Sequence, residues 1–151
     1  MRPVGAFFLL TILIFSTTSE AEKAEVKEAP SHQEFISPVK ESNAYKRYLH
    51  RTKNEQSKIL YLLDRFLNSP LKVVYDGTTY DSNTAINFAR SYVARNYRNE
   101  NAASWIKIHA YRSNPKRKII YMKLPNGKTK PFRDALLEEL EALEKAYNSI
   151  K

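Results

Sequence analysis

The stretch from His109 to Phe132, HAYRSNPKRKIIYMKLPNGKTKPF, carries seven basic residues and no acidic one. Arg112, Lys116, Arg117 and Lys118 cluster where a loop meets a strand; Lys123, Lys128 and Lys130 follow, with Tyr111 and Tyr121 interleaved. Arginine forks hold phosphate or carboxylate through paired hydrogen bonds, and tyrosine stacks on rings or sugars. Alternating aromatic and basic residues on a strand also hold single-stranded nucleic acid. A plainer role fits the same residues. Lysines on edge strands block edge-to-edge pairing, and net charge keeps a protein soluble. Both readings stand at this point. Helical spacing puts Arg90, Ala94 and Arg98 on one face of an earlier helix. The candidate anion- or partner-binding set is therefore Lys107, Arg112, Lys116, Arg117, Lys118, Tyr121, Arg90 and Arg98.

Other chemistries find less support. The histidines, His32, His50 and His109, are far apart, and no pair has the spacing of a zinc site. His109 reads as a packed or half-exposed helix side chain. A Ser113–His109 pair across one helical turn lacks an orienting carboxylate and an oxyanion hole. No Gly-x-Ser-x-Gly elbow, glycine-rich phosphate loop or calcium loop is present. Glu138, Glu139, Glu141 and Glu144 fall outside the apolar stripe of the last helix and read as a solvated face, with Glu141 and Lys145 an i, i+4 pair. Asp76 and Asp81 suit turn and cap roles. No cofactor is implied.

Charge is unevenly distributed. Residues 22–85 hold ten basic and nine acidic side chains, residues 86–130 eleven and one, and residues 131–151 three and five. The positive field is thus concentrated in one third of the chain, which bears on partners rather than on fold. Absence of cysteine excludes disulfides and a thiol nucleophile.

The start reads as an export signal. Met1-Arg2-Pro3 is followed by the apolar run AFFLLTILIF, Ala6 to Phe15, and then by Ser19-Glu20-Ala21, with cleavage expected after Ala21. The apolar run is well short of the ~20 residues that span a bilayer. After cleavage no transmembrane segment remains, and the protein is expected to be periplasmic or secreted. Export argues against nucleic acid as the natural partner. It leaves anionic envelope polymers, lipid headgroups and acidic protein faces.

Residues 22–51 are polar, charged and broken by Pro30 and Pro38, and read as a flexible tether with a short helix at most at Asn43 to His50. A single globular domain, residues 52–151, is expected to follow. Thr52-Lys53-Asn54-Glu55 fits a capping box before the helical stripe Ile59, Leu60, Leu63, Phe66 and Leu67. Asp76-Gly77 between β-prone runs predicts a hairpin over Leu71 to Tyr80. Asp81 or Ser82 starts a helix to about Tyr97 with Ala85, Phe88, Ala89, Tyr92 and Val93 inward. Asn101 caps a helix over Ala102 to Tyr111, with Trp105, Ile106 and Ala110 toward the core. Lys118 to Leu124 is a strand, Asn126-Gly127 a second turn, and Pro131 opens the last helix with Phe132, Leu136, Leu140, Leu143 and Tyr147 buried. The expected fold class is α+β, a small antiparallel sheet packed with about four helices.

The ordered set ILYLLDRFLNS, VVYDGTTY, TAINFARSY, NAASWIKIHAYRSNPKRKIIYMKL and PFRDALLEEL, about Glu55 to Leu143, resembles the YfeK-like proteins, small exported bacterial domains of unknown function. Members of that family look as if they carry an Arg-Asn-Gly turn, a histidine on the second helix and a Ser/Gly-rich loop after the third. This chain has Tyr75-Asp76-Gly77, Phe88, and Arg112 to Arg117 without glycine. The resemblance thus implies fold and export, and any site built from those groups is lost or altered here. A non-enzymatic binding domain contacting an anionic envelope component or acidic protein is the leading reading. The alternatives are a structural or inhibitory protein using an apolar patch, and an envelope hydrolase whose site is assembled from distant residues.

Overall fold

The structure, a computed structural model, describes residues 29–151; the expected signal peptide and residues 22–28 of the expected tether lie outside the described residues. Helices α1 (Asn43–His50), α2 (Glu55–Phe66), α3 (Ser82–Asn96), α4 (Ala102–His109) and α5 (Phe132–Asn148) surround strands β1 (Lys72–Tyr75), β2 (Thr78–Asp81), β3 (Tyr121–Lys123) and β4 (Thr129–Pro131). The fold is α+β. Its four-stranded antiparallel sheet has the order β2-β1-β3-β4, two hairpins joined edge to edge through β1 and β3.

Local chemistry accounts for the boundaries. Asp76 and Gly77 both have positive φ, 51° and 88°, as a two-residue turn matching strand twist requires. The Asp81 carboxylate accepts from the Thr84 N–H at 2.9 Å and starts α3, and Asn101 accepts from the Ser104 N–H at 3.0 Å and starts α4. The start of α2 differs from the expected capping box. Asn54, not Thr52, is the cap, accepting from the Ser57 N–H at 2.8 Å. Glu55 turns away and accepts from the Ala102 N–H at 2.7 Å, at the first turn of α4. That bond, then the one from Lys58, pulls the Glu55 pKa below the ordinary range.

The expected tether is corrected from Pro30 onward. Gln33–Phe35 and Val39–Glu41 form short 3₁₀ helices, and Ala44, Tyr45 and Tyr48 of α1 are buried in the core. Proline content and charge suggested a solvated linker, but its few apolar residues pack inward. Phe35, Ile36 and Val39 lie against the core, and Ser42 caps α1 through the Tyr45 N–H.

One buried polar cluster fixes this N-terminal strap. Glu139 of α5 is fully buried, contrary to its expected place on a solvated face. Its Oε1 accepts from the Tyr61 hydroxyl at 2.7 Å and from Arg65 Nε at 2.5 Å, and its Oε2 lies 3.1 Å from Nε2 of the equally buried His32. Arg65 also donates to the Ser37 carbonyl and, at 3.3 Å, to its hydroxyl. Burial works to raise the Glu139 pKa, but the His32 hydrogen bond, the Arg65 charge and the bonds from Arg65 and Tyr61 outweigh it and hold it below the ordinary value. A charge is tolerated there because it is paired and hydrogen-bonded. Helical position alone could not show this, since the partners come from residues 32, 61 and 65.

Candidate functional site

Two features adjoin one another: a basic turn and an apolar cavity. The turn joins α4 to β3. Ser113 anchors it, its hydroxyl donating to the Asp76 carboxylate of the first hairpin and accepting from the Lys118 N–H at 3.2 Å. Ser113 is nearly inaccessible, so it is committed to the hairpin rather than paired with His109. An isolated bridge, Arg112 to Ile119, closes the turn, and Arg112 Nη1 donates to the Arg117 carbonyl at 2.9 Å. Arg117 has φ 54°, a left-handed conformation that costs a residue with a Cβ some backbone energy. The Tyr111 ring stacks on the Arg133 guanidinium at 4.0 Å and the Arg112 guanidinium at 5.2 Å.

The expected set is partly brought together. Arg112, Lys116, Arg117 and Lys118 share the turn, all exposed, and none is in an ion pair with a carboxylate among the described residues. Lys107 is exposed on α4, one turn before it. Tyr121 is half-buried in β3, opposite Val74 and Pro131. Two members are elsewhere employed. Arg90 donates to Asp64 at 2.8 Å, joining Arg47 (3.1 Å) and Arg51 (2.8 Å) on that carboxylate. Arg98 folds back on the Tyr97 and Arg95 carbonyls at 2.9 and 2.6 Å, satisfying acceptors at the end of α3. Lys130, expected on the basic hairpin, is buried and paired with Glu138 at 2.6 Å.

The cavity lies between α3, α4 and the sheet, with a volume of about 410 Å³. It exists because α3 packs loosely: only Ser82 and Ile86 of its fifteen residues are buried. The expected inner residues Ala85, Ala89, Tyr92 and Val93 face the cavity only half-covered. Phe88, also expected inward, is 62% exposed and meets Tyr80 edge to face at the cavity margin. It lies two residues past the buried Ile86, about 160° around the helix from it, at the outer edge of the stripe 85–89–92–93.

Polar groups at the cavity are few. The Tyr92 hydroxyl and His109 Nδ1 share a hydrogen bond of 2.9 Å, and the imidazole stacks on Trp105 at 4.6 Å. The Trp105 indole Nε1 is buried without a partner. Tyr75, Tyr80, Ser91, Arg95, Arg112 and Asn114 complete the polar lining, and no lining residue is acidic. Sequence reading assigned Trp105 to the core and did not find the cavity; the two alanines on the inner face of α3 were the available signal.

Among the described residues no group of three His, Asp or Glu side chains gathers as a metal site, and no helix is long and apolar enough to cross a membrane. Comparison with protein-family models, with curated proteins and with solved structures found no match for this chain.

Proposed function

We propose that this chain is an exported, non-enzymatic binding domain of the YfeK-like kind that docks on an anionic envelope component through the turn 112–118. One observation carries the reading. Arg112, Lys116, Arg117 and Lys118 are exposed on a turn held by Ser113, and no carboxylate among the described residues neutralises them. A cluster fixed by a serine–aspartate bond presents its charge at a constant place, which favours a steady surface contact over a diffuse solubilising field. Anionic headgroups are the first target to test, because each Lys or Arg near such a surface contributes about 1 kcal/mol.

The experiment is binding of the purified protein to vesicles with and without anionic phospholipid across a salt series. Replacing Arg112, Lys116 and Arg117 together by Ala removes about 3 kcal/mol by that figure, roughly a hundredfold in affinity. Binding to the anionic vesicles is expected to weaken steeply with salt, as exposed charges are screened within about 10 Å at 0.1 M. Salt-independent affinity, or a triple variant that binds as the parent does, removes this function.

A partner held by apolar contact is the second reading, favoured by the exposure of Phe88 and Ile108. It calls for association that survives high salt and is lost in Phe88→Ser.

A further inference from the structure

We propose that the cavity beneath α3 is a binding site for a single-chain anionic amphiphile: one aliphatic chain ending in a carboxylate or a phosphate. The walls fit the chain. Leu62, Leu63, Ile86, Ile106, Ile120 and Leu136 offer aliphatic surface, and the volume of about 410 Å³ falls in the range of small-molecule pockets. These side chains are buried at the floor, while the loose seat of α3 leaves Ala85, Ala89, Tyr92 and Val93 only half-covered above them, so a hydrocarbon would complete a core that the protein's own side chains leave open.

The polar groups fit the head. Arg95 and Arg112 are cationic, Asn114 offers an amide, and the Trp105 N–H is buried on a ring that lines the cavity without an acceptor. In the tautomer in which Tyr92 donates to Nδ1, His109 carries its hydrogen on Nε2 and is a further donor. No carboxylate lines the cavity, so an anion meets attraction there and a cationic head meets repulsion. Buried donors without acceptors are costly, and a ligand oxygen relieves that cost.

This inference deepens the surface reading in one respect, since Arg112 belongs to both the turn and the cavity lining; the apolar walls do not depend on the turn. Trp105 is the only tryptophan of the chain, so its fluorescence reports directly on occupancy. The full chain is titrated, below micelle formation, with dodecanoate, dodecyl phosphate, dodecanol and dodecyltrimethylammonium. Saturable one-to-one change is expected with the two anions, at least about tenfold tighter than with the cation, the effect of a single hydrogen-bonded ion pair. Dodecanoate against dodecyl phosphate then tells a fatty-acid-like head from a phosphate head. From eight to twelve carbons each methylene strengthens binding about three- to fourfold until the cavity is full.

Arg95→Gln with Arg112→Gln, both at exposed side chains, should cut the anion-over-cation preference to about threefold or less. Ala89→Phe should abolish the response by filling the space. Ala89→Phe should leave the salt-dependent vesicle binding intact, and Lys116→Ala with Lys118→Ala should weaken vesicle binding and leave the fluorescence titration intact. Absence of a saturable Trp105 response to any of the four probes, or equal affinity for all four heads, overturns the cavity site. Saturation by dodecanoate together with salt-independent vesicle binding upholds the cavity and removes the surface reading.

Discussion

The buried Glu139 is the group whose loss the fold should feel most, and Glu139→Gln isolates its charge. The substitution leaves the Arg65 guanidinium, only 4% exposed at its side chain, without a counter-charge. Removing one partner of a buried pair costs about 3–5 kcal/mol. Glutamine keeps an oxygen that can accept from Tyr61 and Arg65, so the loss should fall near the lower end, about 3 kcal/mol. For a domain of this length a loss of 1 kcal/mol moves the melting temperature by about 4 °C, giving a fall of about 12 °C. Replacing both members, Arg65→Met with Glu139→Leu, removes the uncompensated charge and should recover part of that loss, the Tyr61 hydroxyl and His32 being left without their acceptor. Thermal unfolding at pH 7, followed by circular dichroism, measures all three proteins. The pH dependence adds an independent readout. The folded pKa of Glu139 lies below its unfolded value, so its stabilisation is complete above the ordinary carboxylate range, about 4.3, and is lost as pH falls through the folded pKa. The gap between parent and Glu139→Gln should therefore narrow on acidification. A melting temperature within 2 °C of the parent's at pH 7 (roughly half a kcal/mol), or a gap that stays constant down to the acid transition, would refute the reasoning.

Three further outcomes test the corrected elements. A fragment of residues 52–151 loses Ala44, Tyr45, Tyr48 and His32 from the interior; at about 3–5 kcal/mol per deleted core aromatic it should show no cooperative melt, and a cooperative one near the parent's temperature would return 29–51 to tether status. Asn54→Ala should cost about 1 kcal/mol in urea denaturation while Thr52→Val costs under about 0.5, the reverse order pointing to a Thr52 cap. Ser113→Ala deletes the bond to Asp76 and should cost about 1–3 kcal/mol and speed amide exchange over residues 112–118; unchanged exchange would mean the turn is held by its backbone bonds alone.

The sequence made the hairpins and most helix starts legible because each rests on one or two adjacent residues. Asp76-Gly77 must take positive φ, and Asp81 and Asn101 need only reach the next turn. The α+β class followed from their order. Features that rest on distant partners were not legible. Thr52 and Glu55 satisfy the spacing of a capping box, yet the Glu55 carboxylate finds the orphan N–H of Ala102, 47 residues on. Nothing local distinguishes Glu139 from Glu138, but one is enclosed by His32, Tyr61 and Arg65 and the other accepts from Lys130 near the surface. The basic set divided for the same reason. Arg90 has Asp64 of α2 beside it, whereas the turn 112–118 has no acidic neighbour along the chain and meets only Asp76, already taken by Ser113.

That division says something about how the positive field arises. Asp64 gathers three arginines, Asp81 caps α3, Glu100 accepts from the Arg98 N–H, Glu138 holds Lys130, and Glu144 and Glu55 share Lys58. With Asp76, Asp134, Glu139 and Glu141 also engaged, Glu34 and Glu41 are the only carboxylates among the described residues without a side-chain or backbone partner. Carboxylates thus serve mainly to hold elements together, and the cations in excess are left for the surface. A two-carboxylate hydrolase would need two such groups converging on a cavity; the cavity beneath α3 has none in its lining, and the two that line the pocket beside Tyr48 and Tyr147, Glu55 and Glu144, are both bonded to Lys58. Its donors can hold an anion or polarise an oxygen but cannot themselves take up a proton as a carboxylate base does; His109 alone could, and its Nδ1 is already bonded to Tyr92. The proposed binding of an anionic head beside an apolar chain asks only for donors, which Arg95, Arg112 and the unpartnered Trp105 N–H supply without any proton transfer.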